Sequence, residues 1–151
     1  MFENRVLLGT NNGRVKYVEI YTDFVVAYMS KTRVDYVKNL QEQAGKMQID
    51  SHLAQIFHTG ENFIVFEKCQ SVCLRTIPAN YKHDLIQLKR FIELDYRDFR
   101  LDNIMVCGDT LKIIDQDPPL HPSLHHATRC FNRLDLDINS IAEELEQTRL
   151  E

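Results

Sequence analysis

The sequence lacks the marks of several large protein classes. It has no C-x-x-C pair, no recognisable secretory signal and no apolar run near the ~20 residues that span a bilayer. Internal repeats and linkers rich in glycine, proline and serine are also missing. The four cysteines are Cys69, Cys73, Cys107 and Cys130. We therefore expect free thiols in a reducing, cytoplasmic setting, which includes the cytoplasm of a host cell.

The charge balance lacks any excess of positive charge. Lys and Arg number 18 against 22 Asp and Glu, which gives a net charge of −4. A mildly acidic chain is a poor general binder of nucleic acid, so neither nucleic acid nor a membrane is expected as a partner. The 151 residues suffice for one domain or two small lobes without a disulfide or metal to stabilise them.

The first 68 residues are predicted to form a β-β-β-α-β-β unit. Residues 4–10 and 14–22 are β-type runs around the turn signal Asn11-Asn12-Gly13, and Phe24–Met29 is a third run. Residues 33–46 have apolar side chains at helical spacing. Two further strands are predicted at Leu53–His58 and Phe63–Glu67.

The remaining residues, 69–151, are predicted to be mainly helical. A helix over His83–Leu94 leads into a polar loop, 95–103. A short hairpin follows, with strands Ile104–Val106 and Leu111–Ile114 on either side of Gly108-Asp109. The proline-containing stretch 116–132 is predicted to be irregular, and a last helix to cover 136–149.

The chemically informative stretch is Tyr96-Arg97-Asp98-Phe99-Arg100-Leu101-Asp102-Asn103, followed by the apolar strand that ends at Asp115. It resembles the catalytic loop H-R-D-L-x-x-x-N and the metal-binding aspartate of the protein-kinase superfamily. Tyr96 replaces the histidine, whereas the arginine, aspartate and asparagine match in order and spacing.

The resemblance implies a role for each of these residues. Asp98 would accept the proton of the attacking hydroxyl, and Arg100 would reach the transferring phosphate. Asn103 and Asp115 would supply oxygen ligands to Mg²⁺. Arg97 and Asp137 would support the loop, Asp137 by accepting hydrogen bonds from its backbone. Asp117 is either a second metal ligand or a solvated turn residue.

The amino-terminal half resembles the family less closely. Gly13-x-Val15 matches the end of the glycine-rich loop, and Val25-Val26-Ala27 resembles the strand that carries the phosphate-binding lysine. Met29 occupies that lysine's position, so Lys31 is the proposed replacement, on the same side of the strand. Its acidic partner on the helix would be Glu42 or Asp35. Glu67 would lie at the hinge that holds adenine.

Taken together, the resemblance implies an α+β, two-lobed protein-kinase-like fold. Residues 1–68 would form a five-stranded antiparallel lobe with one helix, and 69–151 a reduced helical lobe. The implied function is ATP- and Mg²⁺-dependent phosphotransfer by a minimal Ser/Thr protein kinase, similar to small pathogen or viral effector kinases. Such a protein would act on a protein substrate or host partner, as a monomer or partner-bound.

Two alternatives stay open. Asp115-Gln116-Asp117 resembles the small-molecule kinases of the superfamily, of the aminoglycoside type. Met29 instead favours a pseudokinase that serves as a binding module or inhibitor.

Overall fold

The computed structural model describes residues 1–11, 14–97, 99–119 and 122–150, with the backbone alone for residues 6–11 and 14–16. The strands are β1 (Phe2–Asn11), β2 (Arg14–Tyr21), β3 (Phe24–Tyr28), β4 (Ile56–Thr59), β5 (Phe63–Glu67), β6 (Gln70–Ser71), β7 (Ile104–Cys107) and β8 (Thr110–Ile113). The α-helices are α1 (Lys31–Lys46), α2 (Tyr81–Lys89), α3 (Ile92–Asp95) and α4 (Leu124–Leu150), and single 3-10 turns cover Asp50–His52 and Leu101–Asn103.

The first five strands form one antiparallel sheet in the order β1-β2-β3-β5-β4. Because side chains alternate along a strand, one face presents buried apolar residues to α1. That contact buries Ala27, Ile64 and Phe66 of the sheet with Val34 and Val37 of the helix. The α+β class and the five-stranded antiparallel sheet with one helix are therefore confirmed.

A second, larger core lies under the short sheet β6-β7-β8 and the later helices. Its fully buried side chains include Leu88, Phe91, Leu111, Ile113 and Leu134. The two parts meet where Leu53 forms a parallel bridge with Ile113, and the Ala54 N–H donates to the Ile113 carbonyl at 3.0 Å. No helix among the described residues has both the length and the apolar character needed to cross a membrane.

The predicted elements needed several corrections. The helix expected over His83–Leu94 is split into α2 and α3 at Arg90-Phe91, and the strand expected from Leu53 begins at Ile56. The two-residue strand β6 had no sequence signal, since its pairing with β7 depends on residues more than 30 positions later. The first three strands, β5 and the hairpin at Gly108 are confirmed, within one or two residues at their ends.

The last helix starts twelve residues earlier than the expected residue 136, because α4 begins at Leu124. Ser123 precedes it and accepts a hydrogen bond from the His126 N–H at 3.3 Å, as an N-cap residue does. The prolines therefore end just before the helix rather than excluding it. The buried residues Ala127, Phe131, Leu134 and Ile138 follow helical spacing from that start.

The expectation of free thiols is wrong for two of the four cysteines. The structure joins Cys69 and Cys107 in a disulfide, with Cα atoms 4.7 Å apart, while Cys73 and Cys130 are free. The pair extends the β6–β7 register, in which Gln70 opposes Val106. Sequence spacing gave no signal because the two residues lie 38 positions apart.

Substitution by alanine should have opposite effects on the free energy of unfolding at two glycines, Gly60 and Gly45. A Cβ at Gly60 would lie 2.1 Å from the Phe63 ring, whereas one at Gly45, in α1, meets nothing closer than Asp50 at 4.0 Å. Gly60→Ala should lower the free energy of unfolding by about 1–3 kcal/mol. Gly45→Ala should raise it by about 1 kcal/mol, since glycine is a poor helix former. Urea denaturation measures both, and equal effects of the two changes would contradict the packing described at Gly60.

Candidate active site

The predicted metal ligands lie at the same end of the β7–β8 hairpin. Ile104 pairs with Ile113, so Asn103 and Ile114 are the next residues outward on the two strands. The Ile114 N–H donates to the Asn103 carbonyl at 3.0 Å, and Asp115 follows directly. The hairpin therefore places Asn103 and Asp115 near each other, although they are twelve positions apart in sequence.

Arg97 connects the polar loop to the segment after β8, residues 115–117. Its Nη1 donates to the carbonyls of Asp115 at 2.8 Å and of Asp117 at 3.0 Å. Its Nη2 contacts the Gln116 carbonyl at 3.4 Å. Arg97 is 4% exposed, so these hydrogen bonds are shielded from water. The guanidinium thus fixes where the backbone of segment 115–117 lies relative to the loop.

The charge of Arg97 is balanced by Asp95, whose Oδ2 lies 2.7 Å from Nη2. The same carboxylate oxygen accepts a hydrogen bond from the Tyr36 hydroxyl of α1 at 2.6 Å. Burial, and then the hydrogen bond to Asp95, raise the pKa of Tyr36 above its ordinary value. Tyr36 therefore stays a neutral hydrogen-bond donor at any physiological pH. The sequence pattern did not indicate Asp95 or Tyr36.

Asp98 lies outside the described residues, but both of its neighbours are anchored. Arg97 is held as above, and Phe99 is buried with its ring edge-on to Phe131 of α4, at a centroid distance of 5.3 Å. The chain on either side of the proposed catalytic carboxylate is therefore fixed by the core.

Arg100 is exposed and pairs with Asp102 at 3.4 Å. Both residues line an open pocket of about 700 Å³ between the loop, β6–β7 and α4. Asp137 lines the same pocket. Its carboxylate was expected to accept hydrogen bonds from the loop backbone, but the partner that the structure gives it is Arg133, one helical turn away at 3.3 Å. Among the described residues, that expectation for Asp137 is not met.

The lysine expected to bind phosphate is not on a strand. Strand β3 ends at Tyr28, Met29 is buried at 6% exposure, and Ser30 caps α1 by accepting from the Arg33 N–H. Lys31 is the first residue of the helix and is exposed, beside the turn between β4 and β5. The predicted strand geometry for Lys31 is wrong because the N-cap serine ends the extended chain before it.

The two acidic residues expected to pair with Lys31 lie at different distances from it. Glu42 is exposed and lies 3.9 Å from Lys46, the residue one helical turn further on. Glu42 lies eleven positions after Lys31 in the helix, which corresponds to a rise of roughly 16 Å. Asp35, one turn from Lys31, lines the same surface pocket as Lys31. The pairing of Lys31 with Glu42 is therefore wrong.

The other residues predicted to contact the nucleotide lie in different parts of the five-stranded sheet or outside the described residues. Gly13 lies outside the described residues, and the backbone of Val15 pairs with Thr10. Ala27 is 3% exposed on the sheet face that packs against α1. Glu67 remains within β5: its N–H donates to the Gln55 carbonyl, and its carboxylate pairs with Lys112 at 2.6 Å. The Glu67 N–H thus belongs to the sheet.

Sequence reasoning missed the polar side chains that α1 directs at segment 115–117. Arg33 lies 3.7 Å from the Asp117 carboxylate, and the two side chains are 6% and 11% exposed. The Gln41 amide donates to Gln116 Oε1 at 2.8 Å. Asp117 is therefore a buried ion-pair partner, which rules out the solvated turn residue that was one of its two expected roles. The available signal was that Arg33 continues the apolar stripe Val37, Leu40, Ala44 of α1.

Asn103 and Asp115 fit a magnesium ion by the chemistry of their donors. An amide oxygen and a carboxylate are hard ligands of the kind that Mg²⁺ prefers. The Ile114–Asn103 hydrogen bond brings their backbones together, and both residues are only partly buried. These two residues would hold the ion, which would neutralise polyphosphate charge.

Comparison with known proteins does not assign the chain to a family. No family model matches the chain, and the curated proteins include no match to it.

Proposed function

We propose that this chain is an ATP- and Mg²⁺-dependent phosphotransferase with a protein-kinase-like arrangement, and that it acts on the hydroxyl groups of a protein. The observation that carries the proposal is the contact of Arg97 with the carbonyls of segment 115–117. This contact joins the loop with Asp98 and Asn103 to the segment with Asp115. The contact supports the proposal because it holds Arg97, which precedes Asp98 in sequence, against the segment that contains Asp115.

The chain's own residues have defined tasks in this proposal. Asn103 and Asp115 orient the polyphosphate through the ion that they hold, and Asp98 accepts the proton of the attacking hydroxyl. Arg100, exposed at the pocket beside the loop, supplies positive charge near the acceptor. Arg97, paired with Asp95, holds the loop against segment 115–117. Phosphoryl transfer needs little else from a protein beyond positioning and charge.

Asp115→Asn should abolish the Mg²⁺-dependent stabilisation of the protein by ATP. A ligand at 100 times its Kd stabilises the folded state by about 2.7 kcal/mol, which raises the Tm of the wild type by several degrees. The variant should show no such rise with ATP and Mg²⁺, and the wild type none with EDTA. A thermal-shift series measures this, with Asp109→Asn, in the exposed hairpin turn, as the matched control.

A second candidate function is that of a binding module without catalysis. The observation that favours it is Met29, buried where the family has its lysine, together with Lys31 on the exposed start of α1. A wild-type Tm that does not respond to ATP with Mg²⁺ would support this candidate. Transfer of labelled phosphate to generic proteins, with aminoglycosides and other hydroxyl-bearing small molecules tested in parallel, separates a protein kinase from a small-molecule kinase.

A further inference from the structure

Helix α1 contacts segment 115–117 through polar side chains on a single face. Arg33 pairs with the Asp117 carboxylate, and Gln41 donates to Gln116. Gln116 is 1% exposed, and its own amide donates to the Ala54 carbonyl at 3.0 Å. The segment that contains the proposed metal ligand is therefore held by two groups of contacts. Helix α1 contacts its side chains, and Arg97 contacts its backbone carbonyls.

The ion pair between Arg33 and Asp117 carries a desolvation cost. Both side chains are almost fully buried, so each charge loses most of its hydration. A buried ion pair commonly contributes less to stability than apolar residues of the same volume. The backbone of Asp117 also contacts the proposed metal ligand, since the Asp117 N–H donates to Asp115 Oδ1 at 3.2 Å.

We propose that Arg33 is a positioning residue that sets the carboxylate of Asp115 for metal binding, acting through Asp117. The proposal rests on the proposed function, because it needs a metal at Asp115. A continuous chain of contacts runs from the Arg33 guanidinium to the Asp117 carboxylate, and from the Asp117 backbone to the Asp115 carboxylate. Lys31 does not share this position, since it lies exposed at the start of the helix.

The experiment measures binding of Mg²⁺ with a non-hydrolysable ATP analogue by calorimetry. Arg33→Gln should weaken binding about 10- to 100-fold, as loss of a residue behind a metal ligand does. Arg33→Lys, which keeps the charge, should recover part of the loss. Lys38→Gln, an exposed change on the same helix, should bind like the wild type.

Asp117→Asn and the double variant with Arg33→Gln test whether the two residues act as one unit. The double variant should bind no more weakly than the weaker single variant, because both single variants already remove the same contact between Arg33 and Asp117. Additive losses would overturn the proposed path. Should Arg33→Gln fail to fold, Arg33→Lys and Asp117→Asn carry the same comparison.

A readout without metal separates this inference from the proposed function. Amide hydrogen exchange over residues 113–119, in metal-free protein, should be faster in Arg33→Gln than in Lys38→Gln. A wild type that binds the metal–nucleotide pair, with Arg33→Gln equal to it in binding and in exchange, would overturn this inference alone. A wild type that binds no metal–nucleotide pair would overturn the proposed function and this inference with it.

Discussion

Asp98→Asn should lower the rate of phosphate transfer about 10²- to 10⁴-fold, which is the range that a general acid or base contributes. The change keeps the size of the side chain and removes its ability to take a proton. Its neighbours Arg97 and Phe99 are both buried and held by the core, so the loop should keep its path. The loss should therefore fall on kcat, with little change in KM for ATP.

The measurement is the initial rate of transfer from labelled ATP, in the presence of Mg²⁺, to a generic protein acceptor. The matched control is again Asp109→Asn, which changes the same chemical group in an exposed turn and should transfer at the wild-type rate. Thermal melting shows whether Asp98→Asn is folded. Undiminished transfer by a folded Asp98→Asn protein would contradict the role given to this residue.

Arg97→Met should destabilise the fold by about 3–5 kcal/mol, the cost of removing one partner of a buried ion pair. The Asp95 side chain, 13% exposed, would keep only the Tyr36 hydroxyl as a hydrogen-bond donor among the described residues. The three carbonyls of segment 115–117 would lose their shared donor at the same time. For a domain with marginal stability, this loss is a large fraction of the total.

Urea denaturation gives the free energy of unfolding for Arg97→Met and for a matched change, Arg100→Met. Arg100 also pairs with an aspartate, but its side chain is 62% exposed and that of Asp102 is 68% exposed. Exposed pairs contribute about 0–1 kcal/mol, so Arg100→Met should be nearly neutral. Adding Asp95→Asn to Arg97→Met should recover stability, because it removes the uncompensated charge. Equal costs for the two arginines would show that Arg97 is not held as described.

Local signals account for the elements that the sequence predicted well. The alternating residues of β1 and β2 and the Gly108 turn, with φ of 62°, follow from signals in neighbouring residues. The proximity of Asn103 to the residue before Asp115 has the same local origin, since one hairpin pairs the strands that these residues flank.

What the sequence did not predict depends on contacts between distant segments. The Cys69–Cys107 disulfide and strand β6 arise from pairing with β7, and the Arg33–Asp117 pair joins residues 84 positions apart in the numbering. Strand alternation predicts the wrong position for Lys31, because the cap at Ser30 starts a helix there. A charged residue in an apolar stripe, as at Arg33, is the one local signal of a buried polar contact.

The peptide groups around Ala54 have a mechanical consequence. The Ala54 N–H donates to Ile113, and its carbonyl accepts from both Gln41 and Gln116. Rotation of the five-stranded sheet away from the hairpin would shear these hydrogen bonds together, at a net cost of about 0.5–1.5 kcal/mol for each bond. We therefore expect the sheet and the hairpin to move together as one body, with motion confined mainly to loops and side chains.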